Sequence, residues 1–236
     1  MRLELFCLSL LILPLLAKDE IVGGPKTTTN KYPFMVRLST DRGGCTASLV
    51  KNKYILTAKH CFQYENGTLI KHGIASFRDS SWEKERKEFK RSVKLAFHYP
   101  KSDIALAKIS GWVKGIKPVK ISKKRVKPGA LMRAVGFGMH GFNKADGHLR
   151  EIDLEVSYVK GNEIRTKVGP NNEGPCAGDS GGPLLVQERG KWSVVGTLEG
   201  WGYDCRTNTV HHVHKDDIWS SVRVIKMKDL RDQYEK

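Results

Sequence analysis

A glycine-rich segment carries the residue best suited to nucleophilic chemistry. Residues 175–184 read PCAGDSGGPL, with a serine at position 180. A serine hydroxyl is hardly ionised near neutral pH, so Ser180 needs a base within hydrogen-bond reach and donors aimed at the oxyanion that develops. Gly178 and Gly181 allow a tight turn around the serine and a close approach of substrate. Such a turn can direct the amides of Gly178 and Ser180 at one point, which predicts an oxyanion hole.

Two other segments supply a base and its partner. Residues 57–61 read TAKHC and provide His60, and residues 102–108 read SDIALAK and provide Asp103. A histidine can take the serine proton, and a carboxylate can orient the imidazole and stabilise its cation. A glycine-rich turn with an incidental serine is the alternative interpretation of the first segment alone. The three segments together favour a catalytic triad.

The three segments resemble the motifs of the chymotrypsin-like (trypsin-fold) serine proteases, which are TAxHC, DIAL and GDSGGP. The order His60, Asp103, Ser180 is also the order of that family and differs from that of subtilisins and α/β-hydrolases. The resemblance runs from Ile21 to about Val222. It implies a serine endopeptidase that forms an acyl-enzyme on Ser180. Protein or peptide substrates, inhibition by serpins or other protease inhibitors, and no cofactor are implied with it.

The spacing of apolar runs indicates the fold class. Runs at 34–38, 46–50 and 54–56 alternate with turns, and later runs are at 104–109, 131–137, 154–159, 184–187 and 193–198. Many short strands favour a sandwich or barrel. The resemblance implies an all-β fold of two six-stranded antiparallel barrels with the triad between them. Apolar residues at helical spacing from Asp216 to about Gln233 predict a C-terminal α-helix, with Asp216 or Asp217 as its N-cap.

The N-terminal segment has the pattern of a targeting sequence. Arg2 precedes a short apolar run that ends at Ala17, which predicts a secretory signal peptide over residues 1–17 and a protein that is secreted or stored in granules. A retained anchor is the alternative. The IVGG sequence at 21–24 resembles the start of an activated protease of the family. Residues 18–20 are therefore interpreted as an acidic propeptide, and 21–236 as the protease domain, with barrels over about 21–118 and 119–236.

The resemblance also implies how the chain would be activated. Cutting before Ile21 would free an α-amine that folds inward and pairs with Asp179. A buried charge pair of this kind is favourable only when both partners are present. Loss of either group is therefore expected to collapse the oxyanion hole.

Four cysteines remain when Cys7 leaves with the signal peptide, namely Cys45, Cys61, Cys176 and Cys205. An even number in a secreted chain predicts two disulfides, for which three pairings exist. The resemblance implies Cys45–Cys61 and Cys176–Cys205.

Two further observations concern metals and sugars. The cysteines and histidines do not have zinc-ligand spacing, so no metal is expected, and His211, His212 and His214 are interpreted as surface histidines. The sequon that starts at Asn66 predicts an exposed N-glycosylation site.

The residues of the primary substrate pocket follow from the resemblance as Gly174, Trp201 and Gly202. Trypsins carry an aspartate six residues before the nucleophile, where this chain has Gly174. An arginine or lysine side chain would be buried there without a counter-charge, so we expect apolar or small side chains at the P1 position of substrates. The strand before Trp201 departs from the family, with one extra residue. Gly200 stands where a serine usually supports the triad aspartate, which leaves open a low activity.

The charge balance suggests a second kind of partner. The chain has a net charge of +16, and residues 1–20 contribute two basic and three acidic residues, which leaves +17 on 21–236. Residues 104–145 contain ten basic and no acidic residues. A solvated face is one interpretation. The other is that Lys123, Lys124, Arg125 and Lys127 bind a heparin-like glycosaminoglycan or another polyanion.

These charges also support a function from a different class. On the same fold, the chain could be a catalytically weak or inactive homologue that works through its basic surface. The sequence contains no motif specific for nucleic acid, and we expect a monomer.

Overall fold

The backbone consists mainly of β-strands. The computed structural model describes residues 21–77, 89–141, 144–170, 172–205, 209–210 and 216–225. The strands are β1 (Met35–Thr40), β2 (Gly43–Lys51), β3 (Tyr54–Thr57), β4 (His72–Phe77), β5 (Phe89–His98), β6 (Ala105–Ile109), β7 (Lys120–Ile121), β8 (Leu131–Gly136), β9 (Arg150–Lys160), β10 (Glu163–Lys167), β11 (Pro183–Glu188), β12 (Lys191–Gly200), β13 (Tyr203–Asp204), β14 (Thr209–Val210) and β15 (Asp216–Ser221). Short 3₁₀ turns cover Ile21–Gly23, Lys59–Phe62 and Val222–Val224.

The first barrel closes in the order β1-β2-β3-β6-β5-β4, and all its neighbours are antiparallel. Apolar side chains such as those of Val36, Leu38 and Leu49 are fully buried inside it. Closure leaves no unpaired sheet edge, which is how a barrel satisfies its backbone groups. The pairing of β3 with β6 brings the segments that follow β3 and precede β6 to the same end of the barrel.

The second barrel has the order β11-β8-β9-β10-β15-β12 and closes through the pairing of β11 with β12. Strand β7 adds a short parallel pairing to β12. Leu154, Val156, Ile164 and Trp219 fill its interior. The prediction of two six-stranded antiparallel barrels is confirmed.

Thr46 joins the two barrels. Its amide donates to the carbonyl oxygen of Ser180 over 2.9 Å, and its hydroxyl donates to the carbonyl oxygen of Gly178 over 2.9 Å. The same hydroxyl accepts the amide of Phe137 over 3.1 Å. The loop that carries the proposed nucleophile therefore belongs to the second barrel but is fixed to a strand of the first.

The prediction of a C-terminal helix needs correction. Residues Asp216–Ser221 form strand β15, which pairs with β10 on one side and β12 on the other. Two sheet neighbours satisfy the backbone there, and burial of Trp219 fits the alternation of a strand as well as it fits a helical spacing. The rest of the predicted helix, residues 226–233, lies outside the described residues.

In the described part of the chain, no helix combines the length and apolar character that crossing a membrane requires. The predicted signal peptide, residues 1–17, lies outside that part.

Candidate active site

The ends of β3 and β6 bring a histidine and an aspartate together. His60 lies in the 3₁₀ turn that follows β3, and Asp103 directly precedes Ile104 and β6. Asp103 Oδ1 accepts the backbone N–H of His60 over 2.8 Å, and Oδ2 lies 2.5 Å from His60 Nδ1. If Nδ1 donates its proton to Asp103, Nε2 is left as the acceptor. The Asp103 side chain is 10% exposed and that of His60 is 31% exposed, so the pair opens to substrate on the histidine side.

A disulfide braces the turn that carries His60. It joins Cys61 to Cys45 of β2, the pairing that the resemblance implied. The Thr40 hydroxyl also donates to the carbonyl oxygen of Cys61 over 2.8 Å. The position of the imidazole therefore rests on covalent and hydrogen-bond links as well as on Asp103.

The glycine-rich loop lies directly against the histidine segment. Gly181 has φ +77°, and a Cβ there would stand 2.1 Å from Thr57 Oγ1 and 2.6 Å from the amide nitrogen of Ala58. Only glycine allows both this conformation and this approach. Cys61 Sγ lies 3.7 Å from the carbonyl oxygen of Ser180. The structure thus brings the three sequence motifs to one place, although the described contacts include no hydrogen bond from Ser180 Oγ to His60.

The amides of Gly178 and Ser180 lie in this loop. Gly178 has φ +94°, and a Cβ on it would meet Gly138 at 3.1 Å. Among the residues that the structure describes, neither amide has a hydrogen-bond acceptor. Unpaired donors next to a serine are what an oxyanion hole requires.

Asp179 is enclosed by glycine backbone. Its carboxylate accepts the amides of Gly138 over 2.7 Å and Cys176 over 2.9 Å. Burial raises the pKa of Asp179 to about 6, against the lowering effect of the two amides and of Arg150. Ile21, its predicted partner, is 1% exposed and begins the 3₁₀ turn at 21–23. The described contacts do not join the two residues, so the activation pair stays a prediction.

The predicted pocket residues also come together, with one residue that the sequence analysis did not assign to the pocket. The Cys176–Cys205 disulfide is present, and Gly202 and Gly174 both approach the carboxylate of Asp217 on β15. Asp217 is 1% exposed. Its position depends on the pairing of β15 with β12, which the predicted helix had excluded.

Asp103 contacts a serine hydroxyl even though Gly200 stands where the family usually has the supporting serine. The hydroxyl near Asp103 comes from Ser220 of β15, which accepts the Asp103 amide over 3.0 Å. Ser220 Oγ in turn donates to Glu199 Oε2 over 2.9 Å. The extra residue before Trp201 is accommodated as a register shift between Leu198 and Gly200 in the pairing of β12 with β15. Glu199 therefore faces the triad, a role that its position in the sequence did not suggest.

The remaining predicted sites lie away from this cleft. Asn66 is exposed in a turn, and its side-chain oxygen accepts the amide of Thr68 over 3.0 Å. Lys123, Lys124, Arg125 and Lys127 are exposed between β7 and β8. His211, His212 and His214 lie outside the described residues.

Comparison with known proteins places the chain in a family. The family model described as Trypsin matches residues 21–216. Granzyme M of Rattus norvegicus is 29% identical over 210 residues, which cover 79% of this chain and 80% of that protein. Chymase of Rattus norvegicus is 27% identical over 212 residues, or 78% and 84% of the two chains. Trypsin delta of Drosophila melanogaster is 25% identical over 217 residues, or 84% of each. The chain belongs to the trypsin family, the chymotrypsin-like serine proteases.

Proposed function

We propose that the protein is a serine endopeptidase that hydrolyses peptide bonds through Ser180, His60 and Asp103. The observation that carries the proposal is the double contact of Asp103 with His60, made at the position where Gly181 of the serine loop packs on Thr57 and Ala58. A structural ion pair would not need an imidazole that is open to solvent beside a glycine-rich serine turn. The named relatives, which include granzymes, chymase and trypsins, support the same activity.

In the proposed mechanism Ser180 Oγ attacks the carbonyl carbon of the scissile peptide, and His60 Nε2 takes the hydroxyl proton. Asp103 keeps the ring in the required tautomer and stabilises the imidazolium. The amides of Gly178 and Ser180 bind the oxyanion of the tetrahedral intermediate. His60 then protonates the leaving amine, and water hydrolyses the acyl-enzyme by the reverse use of the same groups.

We infer that the active form begins at Ile21, after loss of residues 1–17 as a signal peptide and 18–20 as a propeptide, and that it is secreted. A new α-amine would give the buried Asp179 a cationic hydrogen-bond partner in addition to the two neutral amides that it already accepts. Because burial opposes the charge on Asp179, such a partner is expected to stabilise its ionised form strongly. Two glycines at positions 136 and 138 leave the space that the Asp179 carboxylate occupies.

A direct test compares the protein that starts at Ile21 with its Ser180→Ala variant on a peptide library read by mass spectrometry. We expect cleavage by the first protein and none above background by the second. Equal cleavage by both proteins would refute the assignment of Ser180. Absence of cleavage by both, with a folded protein, would favour the inactive homologue.

The carboxylate of Asp217 bears on the P1 preference of the proposed peptidase. The expectation of apolar or small side chains rested on the lack of a carboxylate at Gly174. Asp217 now places a carboxylate beside that glycine, at 3.2 Å from the position of a Cβ. An apolar P1 side chain that reaches Gly174 would therefore meet a carboxylate, which disfavours it there.

A second proposal concerns polyanions. Lys123, Lys124, Arg125 and Lys127 project from an exposed segment, and a groove of about 530 Å³ beside it is lined by Arg125, Lys127 and Arg223 among others. The Lys124 ammonium lies 3.9 Å from the Glu188 carboxylate, so most of the positive charge is left without an acidic partner on this segment. Such a cluster favours a sulfated, heparin-like chain through release of counterions.

Heparin chromatography tests this second proposal. A variant with glutamine at positions 123, 124, 125 and 127 should elute at lower salt than the unmodified protein. The matched control replaces four exposed basic residues of the first barrel, Lys71, Lys90, Arg91 and Lys94, by glutamine. Equal losses in the two variants would indicate that net charge, not this segment, determines binding.

A further inference from the structure

Asp217 is a buried acid that the proposed mechanism does not use. It lies in β15 with 1% of its surface exposed. Its Oδ1 accepts the amide of Gly202 over 2.9 Å, and its Oδ2 lies 3.4 Å from Thr166 Oγ1. Both neighbours are neutral. Among the described residues, no lysine, arginine or histidine forms an ion pair with it.

The direction of these hydrogen bonds matters for what Asp217 can bind. Trp219 Nε1 donates to Thr166 Oγ1 over 2.9 Å, and an indole N–H can only donate. Thr166 therefore uses its own proton towards Asp217. Both carboxylate oxygens of Asp217 thus act as acceptors, and each retains a lone pair for a further donor.

The location of Asp217 assigns it to the substrate pocket. A Cβ on Gly174 would stand 3.2 Å from Oδ2 and 3.7 Å from Oδ1 of Asp217, while Gly202 contacts Oδ1 directly. Gly174 and Gly202 are the two glycines that the resemblance places on the pocket wall. The carboxylate lies beside both glycines, neither of which has a side chain that could cover it.

We propose that Asp217 determines the specificity of the primary pocket and selects substrates with a cationic side chain, arginine or lysine, at P1. The proposal rests on the proposed peptidase function. The carboxylate comes from the last strand of the second barrel rather than from the loop that precedes the nucleophile, which is why Gly174 did not reveal it. A cationic side chain that enters between the two glycines supplies the N–H donors that the oxygens of Asp217 can accept.

The environment of Asp217 makes this selection depend on pH. Burial above all, with the charges of Asp216 and Asp179, raises the pKa of Asp217 to about 8, against the lowering effect of the Gly202 amide and the Thr166 hydroxyl. A cationic ligand must therefore displace a proton at neutral pH. Its binding strengthens as pH rises through about 8, whereas binding of an apolar side chain gains nothing from that ionisation.

The first experiment measures ligand binding without catalysis, in Ser180→Ala protein that starts at Ile21. Calorimetry with benzamidine, an amidinium cation, is compared with neutral benzamide. We expect benzamidine to bind at least about 10-fold more tightly than benzamide at pH 9, with a smaller preference at pH 6. Asp217→Asn should remove the preference for benzamidine. Asp216→Asn should retain it, because the carboxylate of Asp216 contacts Ser157 at 2.5 Å. Equal binding of the two ligands at pH 9 overturns the proposal, and this result does not require the Asp217→Asn variant to fold.

The second experiment uses the active protein and two peptide substrates that differ only in arginine or leucine at P1. The ratio of their kcat/KM values cancels the contribution of His60, which both substrates share. We expect the ratio to favour arginine, to rise from pH 6 to pH 9, and to fall by about 100-fold in Asp217→Asn. A kcat/KM ratio that favours the leucine substrate at every pH from 6 to 9 contradicts the proposal. Inactive protein that still binds benzamidine through Asp217 would refute the peptidase function and leave the pocket assignment standing.

Discussion

Ser220 Oγ donates a hydrogen bond to Glu199 Oε2 over 2.9 Å. The same hydroxyl accepts the amide of Asp103, so a second carboxylate is linked to the triad aspartate through one serine. Burial raises the pKa of Glu199, and so do the charges of Asp103 and Glu163, while Ser220 and His60 lower it. Glu199 is therefore an ionisable group near Asp103 and His60 that can change the electrostatic field at the imidazole.

Replacement of Glu199 by glutamine should move the acid limb of the kcat/KM profile to lower pH, by about half a pH unit. Removal of a negative charge near the imidazole makes its cation less favourable, so the neutral base persists to lower pH. Glu163→Gln is the matched control, because the Glu163 carboxylate already pairs with Arg165 at 2.5 Å. An equal shift in both variants, or a shift to higher pH in Glu199→Gln, would contradict this role.

Asp103→Asn should lower kcat by about 10⁴-fold, the loss found when a triad aspartate becomes an amide. The asparagine oxygen can still accept the His60 amide, but its NH₂ group then faces Nδ1. The ring must present its lone pair to that NH₂, which leaves the proton on Nε2 and removes the base. Circular dichroism should show a folded protein. A loss below about 10-fold would mean that His60 does not depend on Asp103 for its tautomer.

Gly138→Ala should damage the site through Asp179. A Cβ at position 138 would stand 2.4 Å from Asp179 Cγ and would displace a fully buried carboxylate. We expect a loss of about 2 kcal/mol in the free energy of unfolding, measured by urea denaturation, together with a large loss of activity. Gly44→Ala is the control, since a Cβ there meets nothing within 4 Å. Similar stability of the two variants would argue against the close enclosure of Asp179.

The uncut Ser180→Ala protein should become less stable as pH rises from 5 to 8. The pKa values of Asp179 and Asp217, about 6 and about 8, exceed their usual value of 3.8. The folded chain therefore holds protons that the unfolded chain has already released, a stabilisation that is complete below about pH 4 and disappears as pH rises through the folded values. In the Asp217→Asn variant, the decline of the free energy of unfolding with rising pH should largely end near pH 6. Urea denaturation at pH 5, 6, 7 and 8 measures this, and stability that rises over this range in both proteins would contradict the prediction.

The local patterns of the sequence were sufficient to predict many of the strands, whereas the arrangement in two six-stranded barrels was implied by the family resemblance. Runs such as 104–109 and 184–187 overlap β6 and β11, because a short apolar run bounded by turns is typical of a buried strand. His60 and Asp103 could be identified because their segments resemble family motifs, and the pairing of β3 with β6 then brings them to the same end of the barrel. The disulfide pairing needed the family resemblance, since the spacing of four cysteines allows three pairings.

The last strand shows what the sequence could not provide. Ile218, Trp219 and Val222 fit a helical spacing, yet β15 is held by long-range pairing with β10 and β12. That pairing places Asp217 beside Gly174 and Gly202, and Ser220 in contact with the amide of Asp103. The shift at Leu198 that turns Glu199 towards Ser220 is likewise a property of the sheet. None of these contacts can be inferred from neighbours in the sequence.

The most direct test of the central claim is the reaction of a fluorophosphonate probe with the protein that starts at Ile21. The proposed triad predicts one label per molecule on Ser180, located by mass spectrometry, and no label in Ser180→Ala or His60→Ala. A folded protein that remains unlabelled, or that reacts equally well without His60, would contradict the claim that these residues form an active catalytic triad.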